Sequence, residues 1–394
     1  MDIHHPLPLL AGLTPAQFMR RYWQKKPLLV RAAIAGFKPL LSRAELLKLA
    51  ANEDVESRLI VKTTLSWRMK NGPFADRSVP AMSRPGWTLL VQGVDGHSNS
   101  IHQLLGQFRF VPDARLDDVM ISLASAGGGV GPHFDSYDVF LLQASGRRRW
   151  QIGRQKDLTL QTGVPLKILQ NFEPEEEFVL DAGDMLYLPP RYAHDGAAVA
   201  MLGDDGRAVD CMTYSIGFKA PAESELAAEL LHKFADFAQD AADDRAPKLY
   251  RDPLQAATPA PAEIPEAFIA FARSAMAKAL ADPLGVDCAV GEIMTAPKAR
   301  IWFDEATQSW DQHKGQGVCL DTKTRMMYAA NHVFINGESY LAKGADAALM
   351  RTLANNRSLS KAVLAKATKG AIDLMSDWHA AGWIHLAKGM PNDP

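Results

Sequence analysis

Residues 13 to 35, LTPAQFMRRYWQKKPLLVRAAIA, pattern as a helix followed by a short strand. Thr14 stands at the N-cap, Pro15 at the first helical position, and Pro27 beyond the end. From about residue 87 to 218 the pattern changes to short β-prone runs: WTLLVQ, DDVMISLAS, DVFLLQAS, RRRWQIG, EEFVLDAGDMLYLPP and CMTYSIGFK. Glycine and proline punctuate them, and this spacing predicts an all-β sandwich or barrel. After Pro221 the period turns helical. In ESELAAELLHKFADFAQ, Leu226, Leu230, Phe234 and Phe237 share one face. Beyond the link APKLYRDPLQAATPAPAEIP, a second helix places Phe268, Ala272, Met276 and Leu280 on one face. Two such faces need a cover, either their own domain or a second copy of the chain.

The last segment reads as a small α+β unit. TRMMYAANHVFINGESYLA holds two β runs joined through residues that include Asn336-Gly337. DAALMRTLANN, SLSKAVLAKA and AIDLMSDWHAAGWIHLA read as three helices, the last two beginning near Ser358 and Lys369. A strand pair beside helices suggests a winged helix. These changes of pattern divide the chain into a mainly β part with a helical extension over 1–219, a helical segment over 220–282 and an α+β unit over 283–394.

Composition narrows the class. Hydrophobic residues make up 47% and charged residues 22% of 394, the balance of a soluble globular protein. There is no apolar run long enough for a membrane span and no secretory signal, so a cytoplasmic location is expected. Cys211, Cys288 and Cys319 are widely spaced, which argues against a disulfide framework or a thiolate zinc site. A net charge of -2 provides no global field for nucleic acid.

The chemistry concentrates in GGGVGPHFDSYDVFLLQASGRRRW, residues 127–150. A phosphate loop would need G-K-[ST] opening a helix, but Pro132, His133 and β-prone residues follow the glycines. The glycines instead suit a bend beside a ligand. In an extended strand His133 and Asp135 point to one face, so imidazole and carboxylate can converge on a cation. Alone the pair also fits two surface polar residues. It gains force from GDMLYLPPRYAHDG, where His194 follows a short strand ended by Pro189 and Pro190. His133, Asp135 and His194 have a spacing compatible with a 2-His-1-carboxylate facial triad, which holds non-haem Fe(II) and leaves positions open. In RRRWQI, Arg148 shares a face with Trp150 and Ile152, while Arg147 and Arg149 point the other way into solvent.

Around GPHFDSYDVFLLQASGRRRW, GDMLYLPPRYAHDG, YSIGFKAP and FMRRYWQKKPLLVR the sequence resembles the JmjC-type cupin oxygenases, and among them the bacterial ribosomal oxygenases. The resemblance implies a double-stranded β-helix, a helical dimerisation segment and a C-terminal winged helix. It implies Fe(II) with 2-oxoglutarate and dioxygen as cosubstrates. It also implies hydroxylation at the β-carbon (C3) of an arginine in a large-subunit ribosomal protein, the sixteenth of the L series. By the same resemblance Arg148 holds the distal carboxylate of 2-oxoglutarate and Ser122 lies near it. Strand parity that turns Ser122 inward also turns Asp118 and Met120 inward. Asp118 is the expected guanidinium partner, the alternative being an edge residue in water; Tyr137 and Ser215 are further pocket candidates. The rival activities are a JmjC oxygenase acting on histidine, asparagine or methyl-lysine, and a silent cupin that binds without turnover. Asp373 and Asp377 on the last helix, between Lys369 and Lys388, argue against sequence-specific nucleic-acid reading.

Overall fold

The computed structural model describes residues 2–63, 66–243, 248–281, 283–313 and 315–387. The chain divides into two units, Met1–Ala220 and Pro221–Pro394. The first contains helices α1 (Pro15–Arg21), α2 (Arg43–Ala50) and α3 (Asn99–Gly106). Its strands are β1 (Leu28–Val30), β2 (Ser57–Lys62), β3 (Trp67–Asn71), β4 (Trp87–Val91), β5 (Leu116–Ala124) and β6 (Asp138–Ser145), followed by β7 (Arg147–Gly153), β8 (Glu176–Leu180), β9 (Met185–Leu188), β10 (Ala193–Val199) and β11 (Cys211–Phe218).

The α1 start is fixed as its sequence predicts. Thr14 accepts the Gln17 backbone N–H, and the Gln17 side chain accepts that of Thr14, closing a capping box ahead of Pro15. The strands form two antiparallel sheets, ordered β1-β9-β6-β11-β5-β4-β2-β3 and β10-β7-β8. Strand parity sorts the side chains of the large sheet. Val119, Ile121 and Leu123 of β5 pack with Phe140, Leu142, Tyr214, Phe18 of α1 and Leu104 of α3 in the main core. The opposite face of the same strand carries Asp118, Met120 and Ser122. Val139, Leu141, Leu186 and Leu188 form a second cluster with Trp150, Ile152 and Leu180 of the small sheet. The two sheets therefore face each other across an interior that is apolar toward one part and polar where Asp118, Ser122, Gln143, Arg148, His194 and Thr213 are buried. Phe18, fully buried against Trp23, Phe110, Phe140 and Tyr187, pins α1 to this fold; its truncation to alanine should cost about 3–5 kcal/mol.

The glycine run crosses between the sheets. A Cβ on Gly129 would lie 2.3 Å from the Gly196 carbonyl oxygen, and Gly131 sits at φ +80. Only glycine lets the chain pass so close to β10 and turn into His133. Three strands of this unit escape the sequence pattern: β2 and β3, and β10, which starts immediately before His194.

The second unit contains α4 (Glu223–Asp243), α5 (Glu266–Ala279), α6 (Pro283–Thr295), β12 (Gly317–Leu320), β13 (Met326–Ala329), β14 (His332–Ile335) and β15 (Glu338–Leu341). It continues with α7 (Gly344–Asn356), β16 (Ser358–Leu359), α8 (Lys361–Leu364), α9 (Lys369–Ala380) and β17 (Ile384–Ala387). Two three-stranded sheets, β16-β12-β17 and β13-β14-β15, accompany the helices. The expected strand pair is thus a three-stranded meander. Asn336-Gly337 is the turn between β14 and β15, with φ of 49 and 88 as a tight hairpin requires. Two helix boundaries also differ. Arg357, at φ 59, ends α7, so Ser358 and Leu359 pair with β12 and α8 starts only at Lys361. Gly382, at φ 75, ends the last helix, and Ile384–Ala387 pairs with β12 instead of continuing it. Leu280 caps α5 rather than lying within it. The start of the interhelical link at residues 246 and 247, and Lys388, lie outside the described residues.

Candidate metal centre and cosubstrate pocket

His133, Asp135 and His194 converge, with one ligand atom from each lying within 4.8 Å of the others. The expected strand through His133 and Asp135 is absent. They sit in the irregular segment before β6, and His133 forms a single antiparallel bridge with His194. That bridge has both hydrogen bonds, His133 N–H to His194 O at 2.9 Å and the reverse at 2.8 Å. It holds the two imidazoles side by side, with centroids 4.2 Å apart. The Arg191 N–H, presented by a residue at φ 63, donates to the Asp135 carbonyl at 2.7 Å and fixes the other end of the triplet.

Each histidine is committed to one tautomer by its neighbours. His133 Nδ1 lies 2.9 Å from the Gly131 carbonyl and His194 Nδ1 lies 2.9 Å from the Tyr192 carbonyl, so each Nδ1 carries the proton. Each Nε2 is then a lone-pair donor, the arrangement that metal-ligating histidines need. His194 Nε2 stands 3.7 Å from Asp135 Oδ2. Burial, reinforced by His133 and opposed by Asp135, brings the His194 pKa down to about 4. The imidazole is therefore neutral near pH 7, as a ligand must be. Two neutral nitrogens and a carboxylate on one side, with no thiolate, make a donor set that fits Fe(II) with positions left open.

Beside this cluster, β7 carries Arg148 into the interior. Arg148 is 4% exposed, whereas Arg147 and Arg149 lie at the surface against Asp181 and Glu177. Its Nη2 reaches Ser122 Oγ at 3.4 Å, and its guanidinium lies 5.6 Å from the Trp150 ring centroid. Among the described residues no carboxylate pairs with it, and Arg148 Nε has no hydrogen-bond partner. A buried cation left this way is costly without an anion. Strand pairing sets His194 opposite Ile152 and Ala198 opposite Arg148. The two side chains thus leave the sheet about 13 Å apart along the strands, with Trp150 between them, 5.8 Å from the His194 ring. A small dicarboxylate can meet a cation at one end and a metal at the other.

The third group lies on β5 and β11. Met120 pairs with Ser215 across the strands, and both are half-buried. Asp118 is 4% exposed, not an edge residue in water. Its Oδ2 accepts Gln92 Nε2 at 2.8 Å and the Gly93 N–H at 2.9 Å. Tyr137 is partly exposed, but burial of its hydroxyl end and then Asp135, Asp118 and Asp117 push the phenol pKa up. Ser122, Arg148 and the triad share the interior, and Tyr137 lies within electrostatic reach of both Asp135 and Asp118. Sequence reasoning missed Gln92, Asp117 and Asp138. The last is fully buried and accepts Tyr187 OH at 2.6 Å, Gln24 Nε2 at 3.0 Å and Arg115 Nη2 at 3.2 Å. It anchors the first residue of β6, three positions after Asp135. The only sequence signal was an aspartate opening an otherwise apolar strand.

Residues 103–226 match the family model described as the JmjC domain, and residues 280–385 match the ROXA-like winged helix. The ribosomal protein uL16 3-hydroxylase of Escherichia coli is 38% identical over 223 residues, which are 56% of this chain and 55% of that protein. A probable ribosomal oxygenase of Haemophilus influenzae is 38% identical over 220 residues, 54% of this chain and 52% of that protein. The aligned part thus spans about half the length of these curated relatives. The fold match is longer: the X-ray structure of E. coli ycfD superposes with a TM-score of 0.79 at 27% identity, over 95% of this chain and 98% of that one. The structure of the E. coli ribosomal oxygenase YcfD in complex with cobalt and 2-oxoglutarate matches with a TM-score of 0.76 at 27% identity, over 96% of this chain and 99% of that one.

Proposed function

We propose that this chain, a JmjC-domain protein with a ROXA-like winged helix, is an Fe(II)- and 2-oxoglutarate-dependent hydroxylase of an arginine β-carbon in ribosomal protein uL16. The observation that carries the proposal is the pairing, within one barrel, of the His133, Asp135 and His194 cluster with the buried Arg148, which forms no ion pair among the described residues. The relatives whose printed names are ribosomal protein uL16 3-hydroxylase and ribosomal oxygenase support the choice of substrate.

In this assignment His133 Nε2, Asp135 and His194 Nε2 hold the iron. Arg148 holds the distal carboxylate of 2-oxoglutarate with Ser122 alongside, and a guanidinium fork suits that bidentate task. Bound iron supplies the dioxygen chemistry that couples oxidative decarboxylation of 2-oxoglutarate to hydroxylation of an unactivated C–H bond. The protein binds, orients and excludes water. Asp118 receives the substrate guanidinium, while Tyr137, Met120 and Ser215 line its path. The acidic surroundings of Tyr137 favour a cationic side chain, arginine or methyl-lysine, over histidine or asparagine.

The remaining parts of the assignment concern the rest of the chain. Residues 220–282 pair two copies: α5 has no buried residue, and Phe268 and Met276 are 47% and 55% exposed. Residues 283–394 form the winged helix. Asp373 and Asp377 on α9 speak against sequence-specific nucleic-acid binding. No described helix is long and apolar enough to cross a membrane, and a ribosomal substrate supports a cytoplasmic location. The test is succinate release with an arginine-bearing uL16 peptide, followed by mass spectrometry of the peptide. Succinate coupled to a one-oxygen gain on arginine is expected; a silent binding module would give neither.

A further inference from the structure

The carbonyl that orients His133 belongs to a peptide with no donor of its own. Gly131 O accepts the His133 Nδ1–H at 2.9 Å, and the next residue is Pro132, so the Gly131–Pro132 peptide has no N–H to anchor it. Gly131 sits at φ +80, and a glycine has no Cβ to restrict its ψ. The main chain of His133 is held by the bridge to His194, which leaves the direction of its ring to that carbonyl. The carbonyl in turn depends on what packs around Gly131 and Pro132.

Two elements distant in sequence close on this turn. Trp67, the first residue of β3, and Ile168, in the loop between β7 and β8, fill the space where a side chain at position 131 would stand. A Cβ there would lie 2.9 Å from Trp67 Cζ2 and 3.1 Å from Ile168 Cδ1. Each is held by its own surroundings. The β2–β3 connection is closed by Thr63 N–H and Thr63 Oγ1, both donating to Ser66 O at 2.8 Å. Trp67 then pairs with Lys62, whose Nζ lies 5.4 Å from the indole ring centroid. Ile168 is buried and its carbonyl accepts the Gln161 N–H at 2.7 Å, while the next residue, Leu169, donates its N–H to the Pro132 carbonyl at 2.8 Å. The Gly131–Pro132 unit is thus gripped by two side chains at Gly131 and by a backbone donor at Pro132.

We propose that Trp67 and Ile168 are positioning residues for the metal centre: by packing on Gly131 they set the carbonyl that keeps His133 in the Nδ1–H tautomer, with Nε2 turned to the metal. Partners that hold a metal-ligating histidine through its second nitrogen are worth about tenfold to a hundredfold in metal affinity. Trp67 and Ile168 act one step further out, through Gly131, so the lower end of that range applies. His194 supplies the comparison, since its Nδ1 donates to a different carbonyl, that of Tyr192. The inference rests on His133 being a metal ligand.

The experiment compares Trp67→Ala, Trp67→Phe and Ile168→Ala in the full-length protein, with Arg68→Ala, an exposed residue on the opposite face of β3, as the control. The first quantity read is the Mn(II) dissociation constant. The second is the tautomer of His133 and of His194, taken from imidazole-nitrogen NMR of metal-free protein with isotope-labelled histidine, at alkaline pH where an ordinary imidazole is neutral. His133→Gln and His194→Gln identify the two signals. Trp67→Ala and Ile168→Ala are each expected to raise the Mn(II) Kd by about tenfold and to turn His133 from the Nδ1–H form into a mixture, while His194 keeps its form. Trp67→Phe, which leaves a ring over Gly131, should recover most of both, and Arg68→Ala should match the parent. If Trp67→Ala fails to fold, Ile168→Ala carries the same test from a separate element. A His133 tautomer or a Mn(II) Kd that stays at the parent's in the alanine variants would overturn the proposal. So would an equal change at His194, since that would mark a general loosening of the barrel rather than a path through Gly131. A parent that binds Mn(II) no better than His133→Ala would overturn the metal assignment instead, and the tautomer measurement, which needs no metal, tells the two failures apart.

Discussion

Replacing Arg148 with methionine should move binding and stability in opposite directions. Arg148 is 4% exposed, its Nε has no hydrogen-bond partner, and no described carboxylate pairs with it. Its side chain touches Ser122 Oγ at 3.4 Å and the face of Trp150. Methionine fills similar space without a charge to desolvate, and such replacements are commonly neutral or stabilising by about 1–4 kcal/mol. Binding carries the reverse sign. Truncating one partner of a buried hydrogen-bonded charge pair costs about 2–5 kcal/mol, so the 2-oxoglutarate Kd should rise by about thirtyfold to several thousandfold. Thermal unfolding with Mn(II), across a 2-oxoglutarate titration, reads both effects in one experiment. A ligand at a hundred times its Kd stabilises by about 2.7 kcal/mol, and at that concentration the stabilisation should fall to about 0.9 kcal/mol or less in Arg148→Met while its ligand-free Tm equals or exceeds that of the parent. Arg148→Lys keeps the charge but not the fork, and should fall between. A ligand-induced shift as large in Arg148→Met as in the parent would refute the reasoning. So would a ligand-free Tm lowered by several degrees, since that would make Arg148 a structural ion.

Three other outcomes follow from the same geometry. Asp118→Ala should raise the KM for an arginine peptide at least tenfold and leave metal affinity unchanged, measured by steady-state kinetics and Mn(II) titration. The metal-free protein should lose stability as pH falls from about 6.5 toward 4: burial depresses the His194 pKa to about 4, so the unfolded chain binds the extra proton across that window. The loss should reach about 3 kcal/mol in denaturant melts, and His194→Gln should flatten the profile. Phe268→Glu combined with Met276→Glu should halve the mass seen by sedentation equilibrium or light scattering if α5 pairs two copies, and an unchanged mass would remove that role from the helix.

Much of the site was legible because its determinants are local. The alternation of RRRWQI placed Arg148 inward and Arg147 and Arg149 outward, and burial agrees. The LDDVMISLA parity likewise set Asp118, Met120 and Ser122 on one face and Val119, Ile121 and Leu123 on the other. What escaped depends on long-range pairing. The bridge between His133 and His194, not a strand through His133 and Asp135, brings the triad together, and no local pattern encodes a contact across 61 positions. Gln92 and Asp138 were invisible for the same reason, since a polar residue gains meaning only from partners distant in sequence. The helix limits at residues 357 and 382 were missed because an apolar run shorter than two turns has no decisive period, and a single left-handed residue decides it.

The central claim is most directly tested by incubating the protein with Fe(II), 2-oxoglutarate and the arginine-bearing uL16 peptide in air, then locating any added oxygen by fragment mass spectrometry. One oxygen on the arginine side chain, absent when iron or 2-oxoglutarate is omitted and absent in His133→Ala, is the predicted result. An unmodified peptide, or a modification that persists in His133→Ala, would contradict it.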